Sequence, residues 1–254
     1  MLTILEAIIL GIVQGITEWL PVSSSGHLVL LQHLFGLEQP VVYDIVLHLG
    51  SLVVVLAVFR KEIMDLSLGV LRREEKELRY AGYLAIATIP IGLVGVFLND
   101  LVKELFSDVR TVGVSLLFTA LLLHLSQYPE KKDKKITLKS AIGIGIMQGI
   151  AILPGVSRSG STISAGLMQG VEREEAARFS FLMFIPAILG ATLVEGRHIR
   201  EIADPMALGV GTLASVIVGF LTLNFLLRIV KTGNFSRFKW YCLSVGLLIL
   251  VFLR

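Results

Sequence analysis

Charge is scarce in this 254-residue chain. Only 17% of its residues are Asp, Glu, Lys or Arg and 54% are hydrophobic, with a mean hydropathy of +0.79, whereas soluble domains carry about 25% charged residues. A water-soluble class is excluded, and the expected fold is all-α and integral to a membrane, a single polytopic domain over 1–254. Cysteine is nearly absent. The single Cys242 excludes an internal disulfide and a cysteine metal site, and reads as a packing residue in an apolar run. The N-terminal Met1-Leu-Thr-Ile-Leu-Glu6 lacks a basic segment, so no cleaved signal peptide is expected. Despite a pI near 9.0, the basic residues form no stripe with interleaved aromatics, which argues against a nucleic-acid partner. They sit in loops between apolar runs, where topology signals belong.

Six apolar runs are long enough to cross a bilayer on the criterion of about 17 to 25 residues: 41–59, 81–98, 111–128, 178–195, 206–227 and 239–253. Four shorter pieces, 2–20, 26–37, 140–153 and 160–170, flank two copies of one peptide. The first copy is Gly11-Ile-Val-Gln-Gly-Ile-Thr-Glu-Trp-Leu-Pro-Val-Ser-Ser-Ser-Gly26 and the second Gly145-Ile-Met-Gln-Gly-Ile-Ala-Ile-Leu-Pro-Gly-Val-Ser-Arg-Ser-Gly160, identical at nine of sixteen aligned positions. A duplication is expected, with halves at about 1–128 and 135–254. Seventeen Lys and Arg residues fall in 60–79, 131–139, 173–178 and 228–239, against five at Lys103, Arg110, Arg197, Arg200 and Arg254. Positive-inside bias places the seventeen on the cytoplasmic side and both termini on the outer face. The segment 140–170 then enters and leaves by one face, as a re-entrant helix pair, and the first copy does the same. Three crossings per half invert the second half relative to the first, so the two motifs meet near the midplane.

Glu18 lies in apolar sequence, where a carboxylate costs roughly 2.5 to 3.5 kcal/mol on insertion scales. Arg158 is the one basic residue at comparable depth, suited to a phosphate or to pairing with Glu18. Ser23, Ser24 and Ser25 precede one helical run, and Ser157, Ser159 and Thr162 begin another. Two such clusters, each at a helix N-terminus, make a receptor for a phosphate or diphosphate, although serines there also serve as N-caps. His27 stands near enough in sequence to relay a proton. Gln14 and Gln148 occupy the same place in the two copies and are expected to hold the broken helix or touch phosphate. His33, Asp44, His48 and His124 lack such company; Asp44 and His48, at i, i+4 on one helix face, are expected as a hydrogen-bonded pair, with metal binding the alternative. His198 is expected in solvent. Pro90 and Pro186 are expected to kink two of the crossings.

Over nearly its whole length the chain resembles the undecaprenyl-diphosphatase (bacitracin-resistance) family, on Gln14-Gly-Ile-Thr-Glu-Trp-Leu-Pro-Val-Ser-Ser-Ser-Gly-His27, Pro154-Gly-Val-Ser-Arg-Ser-Gly-Ser-Thr162 and Phe179-Ser-Phe-Leu182. The resemblance implies six crossings, two inverted re-entrant regions and a cell-membrane phosphatase. Its substrate would be undecaprenyl or another polyprenyl diphosphate, cleaved to the monophosphate carrier of cell-wall synthesis on the outer side. It points to Glu18, Ser24, His27 and Arg158 as catalytic residues, with Ser157 and Thr162 on the phosphate, beside Gln14, Ser23 and Ser159 from the reading above. Many members carry glutamate where this chain has Gln14. Dependence on Mg²⁺ or Ca²⁺ is expected, although the sequence offers no complete ligand set, and a homodimer is an expectation too. Inverted repeats with broken helices also build transporters, so lipid transport stays open beside hydrolysis.

Overall fold

The computed structural model describes residues 2–37, 41–98, 101, 104–105, 108–128, 133–195 and 204–253. Among the described residues the fold is helical throughout: α1 (Ile4–Thr17), α2 (Ser24–Phe35), α3 (Val41–Val58), α4 (Arg60–Leu71), α5 (Glu75–Phe97), α6 (Val109–Leu125), α7 (Leu138–Ile150), α8 (Arg158–Met168), α9 (Arg173–Glu195), α10 (Pro205–Thr232) and α11 (Phe238–Phe252). Four helical segments among them are long and apolar enough to cross a membrane: Glu75–Phe97, Arg173–Val194, Pro205–Thr232 and Phe235–Phe252. Joining α3 to α4 gives a fifth, bent by 77° at Phe59. α4 occupies part of what reads in sequence as a basic loop. His198, Lys103, Lys131, Lys132, Arg197, Arg200 and Arg254 lie outside the described residues.

Each copy of the repeated peptide folds as helix, break, helix. Thr3 caps α1 and Thr137 caps α7, each in a capping box that closes on the residue three further on. α1 stops before Pro21, and Ser23 at φ 68° turns the chain into α2. A non-glycine residue there costs about 1 to 2 kcal/mol, which the Ser23 hydroxyl offsets in part by accepting from Gly26 N at 3.2 Å. In the second break Gly155, at φ +91°, takes the corresponding bend. An added Cβ would lie 2.6 Å from the Val112 carbonyl oxygen, so only glycine fits. Backbone bonds between Lys134 and the segment around Gly170 to Glu172 tie the residues before α7 to those after α8. The chain thus enters and leaves this unit at one place. Leu2, ahead of α1, and Leu37, beyond α2, share one apolar cluster.

The repeated glycines set how closely the short helices approach their neighbours. Gly11 and Gly15 are four residues apart, as are Gly145 and Gly149, and this small-residue spacing lets helix backbones touch. α1 packs along α10 and α7 along α5. A Cβ on Gly11 would meet the Gly211 carbonyl oxygen at 2.0 Å, and one on Gly145 the Ala87 carbonyl oxygen at 2.7 Å. α6 and α11 cross where Gly246 faces the Gly113 carbonyl. Between these pairs sits an aromatic centre in which Trp19, fully buried, stands edge-on to Phe181 and Phe184. Outer faces carry Leu93, Phe97, Leu193, Phe225 and Phe252, as a lipid-facing surface requires. The Pro90 and Pro186 positions lie inside unbroken α5 and α9.

Candidate active site

The two breaks pack directly on each other. A Cβ on Gly26 would lie 3.0 Å from Gly155 Cα, one on Gly160 3.2 Å from Pro21 Cβ, and the Ser159 hydroxyl donates to the Leu20 carbonyl at 3.3 Å. This contact brings the N-termini of α2 and α8 together with matched caps: Ser157 Oγ accepts from Gly160 N at 3.0 Å as Ser23 Oγ does from Gly26. Both ends therefore present partial positive charge and free N–H groups to the same place.

Glu18, at the C-terminal end of α1, is the hub. Its Oε1 takes the Arg158 guanidinium at 2.7 Å. Its Oε2 accepts from Ser24 Oγ at 2.5 Å and from Gln14 Nε2 at 3.2 Å, and lies 3.1 Å from His48 Nε2. Glu18 is only 6% exposed, and a buried charge at this depth is tolerable only because both oxygens are paired or hydrogen-bonded. Arg158 is fixed by the Ser180 carbonyl at 3.4 Å and lies 4.5 Å over the Phe184 ring. Thr162 supports it from behind, donating to the Arg158 carbonyl at 2.7 Å and sharing a 2.6 Å contact with Ser180 Oγ.

A cavity of about 400 Å³ opens from this cluster. Glu18, Ser23, Ser24, Ser25, Ser157 and Arg158 line its polar end, with Asp44, His48 and Gln148 beside them. Ile91, Val96, Ile188 and Val194, from α5 and α9, form apolar walls. The space suits an amphiphile with an anionic head. Of the residues singled out in sequence, Gln14 stands one step behind Glu18, also bonding Ser51 at 3.3 Å, while Ser159 and Thr162 brace the second motif. His27 is not brought to the cluster: its Nδ1 bonds the Ser23 carbonyl and its Nε2 the Tyr241 hydroxyl, both at 2.7 Å.

The sequence alone pairs Asp44 with His48 and carries Ser180 in its third motif, but assigns none of these, nor Ser51, to the site. Asp44 and His48 do not pair through their side chains. His48 Nδ1 bonds the Asp44 backbone carbonyl at 2.7 Å, and the Asp44 carboxylate accepts from Gln32 at 2.9 Å. The signal was present, since Asp44, His48 and Ser51 fall at i, i+4, i+7 and draw a polar stripe along an otherwise apolar helix.

Residues 7–248 match the family described as Bacitracin resistance protein BacA. The chain belongs to the BacA family. Relatives bearing the name undecaprenyl-diphosphatase include proteins of Methanosphaera stadtmanae, 40% identical over 99% of this chain and 98% of the relative, and of Methanobrevibacter smithii, 43% identical over 97% and 96%. One from Bacteroides thetaiotaomicron is 42% identical over 97% of this chain and 98% of its own. Identity at this level over almost the whole length makes the family's shared chemistry the frame for the cluster around Glu18.

Proposed function

We propose that this membrane protein hydrolyses undecaprenyl diphosphate to undecaprenyl phosphate and inorganic phosphate, returning the lipid carrier to cell-wall polymer synthesis. One observation carries the reading. A serine hydroxyl lies 2.5 Å from a buried carboxylate whose other oxygen holds an arginine, between two helix N-termini at the closed end of an amphiphilic cavity. Family membership and the relatives' names agree with it.

The chemistry follows from the geometry. The diphosphate head enters the polar end and draws the Arg158 guanidinium, a bidentate donor, onto the terminal phosphate. Ser157, Ser23 and the N–H groups of α2 and α8 surround the remaining oxygens, which is most of what phosphoryl transfer requires. Glu18, released from Arg158, takes the Ser24 proton as Oγ bonds to the terminal phosphorus. The bridging P–O bond breaks, and its electron pair leaves with the lipid monophosphate. Water then attacks the phosphoserine and releases inorganic phosphate, the serine oxygen recovering a proton. The Ser24 to Glu18 distance favours this covalent route over direct attack by water. The polyprenyl tail runs between α5 and α9, so only the head group is recognised closely.

The finer topology belongs to the same proposal. α6, at 17 residues or about 25 Å, is the sixth crossing, and α1–α2 and α7–α8 are re-entrant pairs of an inverted repeat. The exchange of partners supports it: α1 and α3 pack on α10, and α7 and α9 pack on α5. The cavity walls come from the C-terminal halves of α5 and α9; Lys76 and Arg79 lie at the N-terminal end of α5, with Arg72 and Arg73 just before it, and Arg173 and Arg178 at that of α9. The site therefore opens toward the outer side of the cell membrane, with both termini on that face. Among the described residues no group of three or more His, Cys, Asp or Glu could hold a metal ion. Dependence on Mg²⁺ or Ca²⁺ is therefore proposed through an ion carried on the substrate's diphosphate oxygens, with Glu18 the carboxylate beside them and hydroxyl or water oxygens completing its shell. A homodimer is part of the proposal as well, each copy holding a complete site. Phosphate release by purified protein in detergent, with chelator and with added Mg²⁺ or Ca²⁺, tests the reading. Release is expected; no release from the folded protein, with movement of the lipid across the bilayer after reconstitution into vesicles, would replace hydrolysis by transport.

A further inference from the structure

The hydrogen bonds around His48 fix where its protons are. Nδ1 lies 2.7 Å from the Asp44 carbonyl oxygen, which can only accept, so Nδ1 carries a hydrogen. If the ring were neutral, Nε2 would then turn a lone pair toward Glu18 Oε2 at 3.1 Å, setting two acceptors against each other. A proton must lie in that contact. Oε2 already accepts from Ser24 and from Gln14, so the proton belongs to the imidazole side. We propose that His48 is a positioning residue for Glu18, holding its carboxylate against Ser24 through an Nε2–H donor that exists only while the histidine–glutamate unit keeps its shared proton. This deepens the phosphatase reading and rests on it.

The role is sharpest once substrate is bound. In the empty site Glu18 has two cationic partners, and the diphosphate takes Arg158 away. His48 is then the cation that keeps Oε2 aimed at Ser24, anchored by its own helix rather than by the substrate. The charged groups facing it are few: Glu18 from α1, Arg158 from α8, and Asp44 one turn back on α3, whose carboxylate accepts from the Gln32 amide. The part of α9 that lines the cavity, from Phe184 to Val194, has no titratable side chain, and on α10 the basic residues are Arg228 and Lys231 near its far end. On α2, His27 is bonded to Tyr241 of α11 and His33 is exposed; Lys239 of α11 bonds Gln127, and the charges of α4 (Arg60, Lys61, Glu62, Asp65) lie beyond the C-terminal end of α3. Rising pH removes the proton from the unit, leaves acceptor facing acceptor, and releases Glu18 from Ser24.

The test compares wild type, His48→Gln and His48→Ala in turnover of undecaprenyl diphosphate across pH, with thermal unfolding as the check on folding. A glutamine amide supplies a donor near the Nε2 position and does not titrate. His48→Gln should keep kcat within about tenfold of wild type and lose the alkaline fall, while His48→Ala loses about 10²-fold in kcat at unchanged KM. Wild-type kcat in His48→Ala, or an unchanged alkaline limb in His48→Gln, would overturn the proposal. A readout free of activity separates it from the phosphatase reading. The ¹⁵N-histidine resonance that disappears in His48→Gln should show both ring nitrogens protonated at neutral pH, and an unprotonated Nε2 there would refute it even if the protein hydrolysed nothing.

Discussion

Glu18 joins the two halves of the molecule at a single carboxylate, so substitutions around it separate charge from shape. Arg158→Ala removes the guanidinium that would meet the phosphate and leaves Glu18 buried beside one cation instead of two. Phosphate release should fall by about 10²-fold or more, and stability by about 3 to 5 kcal/mol, the cost of breaking one side of a buried pair. Arg158→Lys should recover much of the stability and little of the activity, since a lysine neither forks onto two oxygens nor stacks on Phe184. Denaturation midpoints beside steady-state rates would show the split, and equal recovery of both would contradict it. The Glu18 to Arg158 contact was legible because the chain places so few charges at depth that partners are nearly forced. The approach of His48 to Glu18 was not, because it depends on α3 packing beside α1, a contact between positions 30 residues apart in sequence; the polar stripe on α3 marks a buried polar face without naming its partner. Nearness in sequence does not set His27's partners: three residues beyond Ser24 and on the same side of α2, its ring bonds the Ser23 carbonyl and the Tyr241 hydroxyl rather than Glu18.

At the scale of elements, the repeated peptide encodes packing as much as chemistry. Its glycine pairs bring α1 onto α10 and α7 onto α5, and these crossings hold both breaks in register. Gly11→Ala and Gly145→Ala should each lower thermal stability in detergent, by about 1 to 3 kcal/mol if the helices can part slightly. Gly209→Ala, with nothing within 4 Å of the added Cβ, is the neutral control. Loss of stability at Gly209 but not at Gly11 would show that the crossings lie elsewhere. The breaks themselves were legible from Pro21, Gly155 and the serine clusters, because proline and a positive-φ glycine leave little else open to the backbone. α4 was not, since its charges read as a loop while its fold is a helix turned 77° from α3. Charge density reports the water-facing side of an element and says little about whether the backbone there is helical.

For the whole molecule, composition alone settled membrane class, while the count of crossings depends on segments near the length limit. Among the described residues four helical segments pass outright and a fifth rests on a bend, while the sixth crossing that we propose rests on a 17-residue helix. Orientation is open to direct measurement. In a Cys242→Ala background, Leu98→Cys at the far end of α5 should react with a membrane-impermeant thiol reagent on intact cells. Arg72→Cys, just beyond α4, should react only after the membrane is opened, and the reverse pattern would invert the topology. Closest to the central claim is the fate of the terminal phosphate. Turnover of undecaprenyl diphosphate labelled on that phosphate, quenched in acid, should leave label on the wild-type protein at Ser24, and Ser24→Ala should carry none and release phosphate at least about 10³-fold more slowly; undiminished release by Ser24→Ala would contradict the account.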